Sequence, residues 1–260
     1  MPNKRKRKAT TNNTSDSNNM LFSGRSSKKS SRHSSRYGSS TSHHSSSLPS
    51  LNDSQIESMF EEYAQASASE EFDYEPEVTR MEGFSVFCEQ LDLDPCDDIR
   101  VLVLLWKLGA NSKPQLITKK EWISGCQTLR SDSLAKFRDV VIPTLDPGFM
   151  DNDNFKSFYK FCFQFNREGT HKTLEKDMAI ALWKMVFSQT GERVAKDRYE
   201  SFCDFLEESS LHSRITLDQW TSFWDFCQEC PDINDYDEDT SAWPVLFDEY
   251  VECIQQKQKK

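Results

Sequence analysis

The sequence predicts an all-α fold, a multi-helix domain preceded by a disordered basic tail. The first observation is that eight segments space apolar side chains at i, i+3, i+4 and i+7, the period of an amphipathic helix. The second is a sharp change of composition near residue 50. We therefore assign residues 1–52 to the tail and 53–257 to the helical domain. The eight segments begin at Ile56, Phe84, Val101, Phe155, Ala179, Tyr199, Trp220 and Trp243.

The tail is basic and rich in serine. Residues 1–50 hold ten Lys or Arg and one acid, Asp16, and about half of residues 26–50 are serine. Such a segment buries too little apolar surface to offset the entropy lost on ordering. Its basic run is a candidate nuclear localisation signal, which implies a nuclear import receptor as a partner and a location in the nucleus as well as the cytoplasm. A solvated run of charge is the alternative. The run consists of Lys4, Arg5, Lys6, Arg7 and Lys8.

The remaining residues are acidic, with 22 basic and 41 acidic side chains. This balance repels polyphosphate, so it argues against specific nucleic-acid binding and favours a basic protein partner. The longest apolar run, Val101–Trp106, is too short to cross a bilayer, so no membrane partner is expected. Since no secretory signal opens the chain, we expect a reducing compartment with free cysteines.

Three helix starts carry the capping-box pattern, in which a hydroxyl and a side chain three residues later satisfy unpaired amides reciprocally. They are Ser54–Glu57, Thr118–Glu121 and Thr216–Gln219. The last two belong to an internal repeat, Ile117–Trp122 and Ile215–Trp220, with the shared pattern Ile-Thr-x-x-Glu/Gln-Trp. In both copies a short extended stretch precedes a capped helix. This order predicts EF-hand-like helix pairs.

The helix pairs are predicted to lack calcium, metal and cofactors. A calcium loop needs oxygen ligands at positions 1, 3 and 5 and Glu at position 12, whereas the frame from Asp235 places Leu246 there. Cys227 and Cys230 form a lone CxxC, and Cys227 also completes an apolar stripe, which favours the core. Because phosphate loops and nucleophile motifs are missing, we predict a non-catalytic binding module. A calcium-type sensor or helical adaptor and a thiol enzyme are the alternatives.

The most distinctive stretch is Ala242–Tyr250, AWPVLFDEY, with Tyr236–Asp239 before it. Together with further segments in the same order, it resembles the defective-in-cullin-neddylation family and its potentiating-neddylation domain. The resemblance runs from about residue 56 to 256. The further segments are Phe87–Glu89, Asp94–Pro95, Val101–Lys107, Asn154–Tyr159, Asp177–Trp183 and Asp218–Trp220.

The resemblance implies a scaffold that promotes cullin neddylation without donating a catalytic group. Its implied cullin-binding patch is Asp218, Ala242 and Asp248, which would contact the C-terminal winged-helix region of a cullin. From the residues alone, Asp218 also fits a helix-start acid and Asp248 a solvated surface charge. A second implied site is an apolar pocket for the N-terminally acetylated neddylation conjugating enzyme. Its residues, which equally fit a core, are Met81, Phe84, Val101, Leu104, Leu116, Phe165 and Met185.

Two departures from the family pattern bear on this assignment. Thr240 and Ser241 stand where the family usually has a single glycine, which makes the segment one residue longer and removes the freedom of glycine at positive φ. A ubiquitin-associated domain is not found ahead of the helical region, and the basic tail resembles the nuclear branch of the family instead.

Overall fold

A computed structural model describes residues 50–68, 73–237 and 242–259. These residues belong to one unit, Leu48–Lys260, whereas a second unit, Met1–Ser47, lies outside the described residues. The predictions of a disordered tail and of a localisation signal therefore fall outside the described part of the chain. So does the Thr240-Ser241 departure.

The described residues are mostly helical, which confirms the predicted fold class. All eight apolar stripes lie on helices, although Leu91 and Trp243 fall just outside the helix ends. The helices are α1 (Asp53–Ala66), α2 (Met81–Gln90), α3 (Ile99–Leu108), α4 (Lys119–Leu129), α5 (Leu134–Lys136), α6 (Asn152–Phe165), α7 (Lys176–Gln189), α8 (Lys196–Glu208), α9 (Leu217–Glu229) and α10 (Val245–Gln258).

Within the described residues, four strands of three residues pair into two short ribbons that connect the helices. β1 (Val78–Arg80) runs antiparallel to β2 (Leu116–Thr118), and β3 (Thr173–Glu175) runs antiparallel to β4 (Arg214–Thr216). Each ribbon links two helix–strand–helix units, the first α1 to α4 and the second α6 to α9. Helices α1, α2 and α4 pack together in the first half, while α6 packs on α9 and α7 on α8 in the second. Helix α3 contacts both α6 and α7, and so joins the halves.

Two of the three predicted capping boxes are present. The Thr118 box opens α4 and the Thr216 box opens α9. The prediction for Ser54 is wrong, because α1 begins two residues earlier, with Asn52 as its cap. The Asn52 side chain accepts from the amide of Gln55. The backbone amide of Asn52 donates to the Asp132 carboxylate at 3.0 Å, and this contact between distant parts of the chain fixes the helix start.

The internal repeat is visible in the core as two equivalent tryptophans. Trp122 and Trp220 are fully buried, each near the start of the helix that follows a ribbon strand. The Trp122 indole donates to the carbonyl of Ile56 on α1 at 3.0 Å. The Trp220 indole donates to the carbonyl of Tyr159 on α6 at 2.9 Å. Each half of the domain is therefore closed by the same bond from its last helix to its first.

Close helix packing accompanies this core. A Cβ atom on Gly125 of α4 would lie 2.6 Å from the backbone oxygen of Leu108 on α3. Glycine is therefore required where these two helices cross. In the second half, Trp183 stacks on Trp220 at 4.9 Å and donates to the Tyr159 hydroxyl at 2.6 Å. Within the described residues, none of the helices is both long and apolar enough to cross a membrane.

Candidate partner-binding surface

Asp248 lies in the first turn of α10, where a carboxylate complements the helix dipole. Its side chain is half-buried, and the Tyr236 hydroxyl donates a hydrogen bond to it. Asp248 is therefore only partly solvated, and it is not the freely exposed charge of the alternative interpretation. The carboxylate is fixed by a donor twelve residues earlier in the chain, while part of it faces solvent.

Tyr236 is itself held by the segment that follows α9. Its ring packs edge-on against Phe226 at 5.8 Å. The buried side chain of Ile233 anchors the 3₁₀ turn before it. Arg198 of α8 places its guanidinium 5.6 Å from the centre of the Phe226 ring and donates to the carbonyl of Pro231 at 2.8 Å. The packing of Phe226 and Ile233 thus holds the Tyr236 side chain, the donor to Asp248, in place.

Ala242 is exposed immediately before α10. The next residue, Trp243, is half-buried against Phe226 at 5.8 Å and Phe247 at 6.1 Å. Phe226 also stacks on Phe247 at 5.0 Å. Since these rings fix Trp243, the backbone at Ala242 is held at the surface beside the first turn of α10. Ala242, through the adjacent Trp243, and Asp248, through Tyr236, are therefore both linked to Phe226.

Asp218 is exposed in the first turn of α9. Within the described residues, no hydrogen bond joins it to Ala242 or Asp248. The loop before β4 contacts α10, because His212 in this loop lies against Glu249, with 2.5 Å between Nε2 and Oε2. The chain continues from His212 through β4 directly into Asp218. The loop therefore links α10 to the strand that leads into α9.

This loop, residues 209–213, is fixed at both ends by Lys176 of α7. The Lys176 amide donates to the carbonyl of Ser213, and its ammonium group donates to the carbonyl of Ser209, both at 3.0 Å. Leu211 lies between these anchors, and its amide donates to the Ser209 hydroxyl at 3.2 Å. Sequence reasoning missed the loop because its role depends on contacts with α7 and α10.

The residues of the implied apolar pocket lie on α2, α3, β2, α6 and α7. Phe84, Val101, Leu104 and Phe165 are buried in the core, whereas Met81, Leu116 and Met185 are half-buried beside it. Arg80 pairs with Leu116 in the first ribbon, which places Met81 next to that strand. The amide of Gln115 donates to the carbonyl of Phe165 at 2.9 Å, which joins the strand to α6. The pocket remains a prediction, with its half-buried members as the accessible part.

In the CxxC motif, Cys227 is half-buried and Cys230 is buried. Burial raises the pKa of the Cys227 thiol to about 12 and also raises the pKa of Cys230. Because the thiolate is the nucleophile, this shift disfavours the thiol-enzyme alternative. Among the described residues, no three His, Cys, Asp or Glu side chains are placed to hold a metal ion.

Taken together, the helical fold and the acidic surface around α10 define a helical binding domain. A family model described as Cullin binding matches residues 138–253, which include Asp218, Ala242 and Asp248. The chain is 34% identical over 177 residues to DCN1-like protein 3 of Drosophila melanogaster, covering 68% of this chain and 50% of that protein. It is 34% identical over 187 residues to DCN1-like protein 3 of Homo sapiens, covering 69% and 58%.

The matched region thus spans a little over half the length of these relatives. The chain belongs to the DCN1-like family.

Proposed function

We propose that this chain is a non-catalytic scaffold that promotes cullin neddylation. In this proposal Asp218, Ala242 and Asp248 bind the C-terminal winged-helix region of a cullin. The observation that supports it most directly is that Trp243, next to Ala242, and Tyr236, the donor to Asp248, both pack against Phe226, within the region matched by the cullin-binding model.

The chemistry of the patch fits a basic partner. A carboxylate held by one donor keeps further lone pairs for a lysine or arginine of the partner. The small side chain of Ala242 leaves room for such a side chain to approach Asp248. Charge pairs of this kind increase the association rate and set the register of the complex as much as they increase affinity.

The second partner in the proposal is the N-terminally acetylated conjugating enzyme, bound at the half-buried side chains of Met81, Leu116 and Met185, of which Met81 and Met185 pack against the core. Burying its methionine side chain would contribute about 1.5–3 kcal/mol. A scaffold that holds both partners speeds transfer by proximity and orientation, without supplying a reacting group. The candidate import signal, Lys4 to Lys8, would place this activity in the nucleus.

The test is reconstituted neddylation of a cullin with and without this protein, compared with the Asp218→Lys, Asp248→Lys double variant. The proposal predicts that the protein accelerates modification and that the variant does not, because reversed charges repel the basic partner. The matched control is the reversal of an exposed acid away from the patch, Glu61→Lys on α1. A double variant that accelerates as well as the unaltered chain would overturn the patch.

Two further experiments test the thiol-enzyme alternative and the candidate import signal. The Cys227→Ala, Cys230→Ala variant should retain full acceleration, and its loss would support a thiol enzyme instead. For the tail, a fluorescent fusion with Lys4 to Lys8 changed to alanine should leave the nucleus, whereas unchanged nuclear accumulation would contradict the import signal.

A further inference from the structure

Two exposed aliphatic side chains flank the contact between His212 and Glu249. Leu211 is 76% exposed in the loop before β4, and Val245 is 66% exposed at the first position of α10. Val245 and Glu249 are four residues apart on one helix, so they share a face. Leu211 precedes His212, which contacts Glu249. Both aliphatic residues therefore lie next to residues of the same His212–Glu249 contact: Leu211 precedes His212, and Val245 is one helical turn before Glu249.

Both exposed side chains stand on backbone that hydrogen bonds hold in place. The ends of the Leu211 loop are bonded to Lys176, and the loop is tied to α10 through His212. At the start of α10, the amide of Phe247 donates to the carbonyl of Pro244 at 2.9 Å, and the Phe247 side chain is fully buried. Val245 is thus presented between an exposed Ala242 and a fixed helix.

Carboxylates lie close to both aliphatic residues along the chain. Asp248 and Glu249 lie in the same stretch of α10, and the loop carrying Leu211 leads through β4 to Asp218. Protein interfaces commonly combine an apolar centre, which loses its water on binding, with a charged or polar rim. Exposed ion pairs contribute little by themselves, because water and salt screen them. A patch made of carboxylates alone would therefore bind weakly.

We propose that Leu211 and Val245 form the apolar centre of the partner-binding surface and receive an apolar side chain of the basic partner segment. This inference rests on the proposed function and refines it. The carboxylates at Asp218 and Asp248 then form the rim. The partner segment is accordingly one that carries an aliphatic or aromatic residue between basic residues, rather than a run of basic residues alone.

The test measures the affinity of the full chain for a cullin C-terminal fragment by calorimetry. Leu211→Asn and Val245→Thr keep the side-chain size and remove the apolar character, and each should weaken binding about 10-fold. The slope of affinity against salt concentration should stay as in the unaltered chain, whereas Asp248→Asn should reduce that slope. The matched control is Phe149→Asn, at a residue that is 89% exposed in the turn before α6.

The outcomes separate the two proposals. If the unaltered chain binds and Asp248→Lys weakens binding, but Leu211→Asn and Val245→Thr bind as tightly as the unaltered chain, the apolar centre is overturned and the patch stands. If the unaltered chain does not bind the fragment, both proposals are overturned. Equal weakening by Phe149→Asn would also count against a centre at Leu211 and Val245.

Discussion

The Tyr236 hydroxyl donates a hydrogen bond to the Asp248 carboxylate, and it joins the segment after α9 to the first turn of α10. Tyr236 packs against Phe226, so the position of the donor is set by the aromatic cluster and not by α10 itself. The bond holds the carboxylate in one orientation before a partner arrives. Preorganisation of this kind lowers the ordering cost of binding.

We predict that Tyr236→Phe, which removes one oxygen, weakens cullin binding about three- to tenfold, the size expected for the loss of one ordinary hydrogen bond. The measurement is a double-mutant cycle with Asp248→Asn. If Tyr236 acts through Asp248, its effect should shrink when Asp248 is already changed. Equal effects of Tyr236→Phe in both backgrounds would show a general structural role instead.

The repeated tryptophans predict equivalent losses of stability. Trp122→Phe and Trp220→Phe each remove an indole bond to a helix carbonyl and leave a small cavity, so each should lower the free energy of unfolding by about 1–3 kcal/mol. Urea denaturation followed by circular dichroism measures this. The control is Trp106→Phe, because Trp106 is half-buried and its bond to Ser157 lies at the surface. A comparable loss there would contradict the assigned role.

The Thr118 capping box predicts a pH dependence. The Glu121 carboxylate is partly desolvated, which raises its pKa, but hydrogen bonds from Thr118 and Ser112 outweigh this and leave its pKa below the usual value. Both oxygens are engaged, one by the Thr118 amide and hydroxyl and the other by the amides of Asn111 and Ser112. A group with a lowered folded pKa stabilises the fold above its unfolded pKa. This stabilisation is lost as pH falls through the folded value.

Glu121→Gln tests this directly, because Gln219 already fills the equivalent position in the second box. The glutamine keeps an oxygen for Thr118 but turns an amide toward the donors of Asn111 and Ser112. We expect a loss of about 1–3 kcal/mol at pH 7 that narrows as pH falls below about 4, because the native carboxyl then protonates. Urea denaturation of both proteins at pH 7 and below about pH 4 measures this difference in the free energy of unfolding. A difference that does not change with pH would be inconsistent with a charged cap at Glu121.

The cysteines should differ in reactivity. Burial raises the pKa of Cys88 to about 12 and raises the pKa of Cys162 well above its ordinary value, whereas Cys96 is exposed. Alkylation of the folded protein near pH 8, followed by mass spectrometry, should modify Cys96 first. Denaturant should remove the difference. Modification of Cys162 as fast as Cys96 in the folded state would contradict its burial.

The helices could be predicted from the sequence because their apolar stripes and the boxes at Thr118 and Thr216 are local signals. The start of α1 could not, since Ser54 also fits a box and the choice depends on a bond between Asn52 and the distant Asp132. The sequence could not predict the burial of Asp248, because Tyr236 reaches it through a turn whose shape depends on Ile233 and Arg198.

The sequence implies a set of candidate site residues but not the surface around them. The resemblance implied Asp218, Ala242 and Asp248, yet Leu211 and Val245 carry no pattern of their own in the sequence. Their place beside the carboxylates follows from the contact between His212 and Glu249, which are 37 residues apart. Helical periodicity does not predict which residues are brought together by contacts between distant parts of the chain.

The two ribbons described above have strands of three residues each. So short an edge offers few free amides and carbonyls to an incoming extended chain, and it resists edge-to-edge aggregation for the same reason. Recognition by strand addition, in which main-chain bonds supply affinity for many sequences, is therefore disfavoured on the described part of the domain. Partners must be chosen through side chains on helices and loops, so single substitutions there should change selectivity without changing the fold.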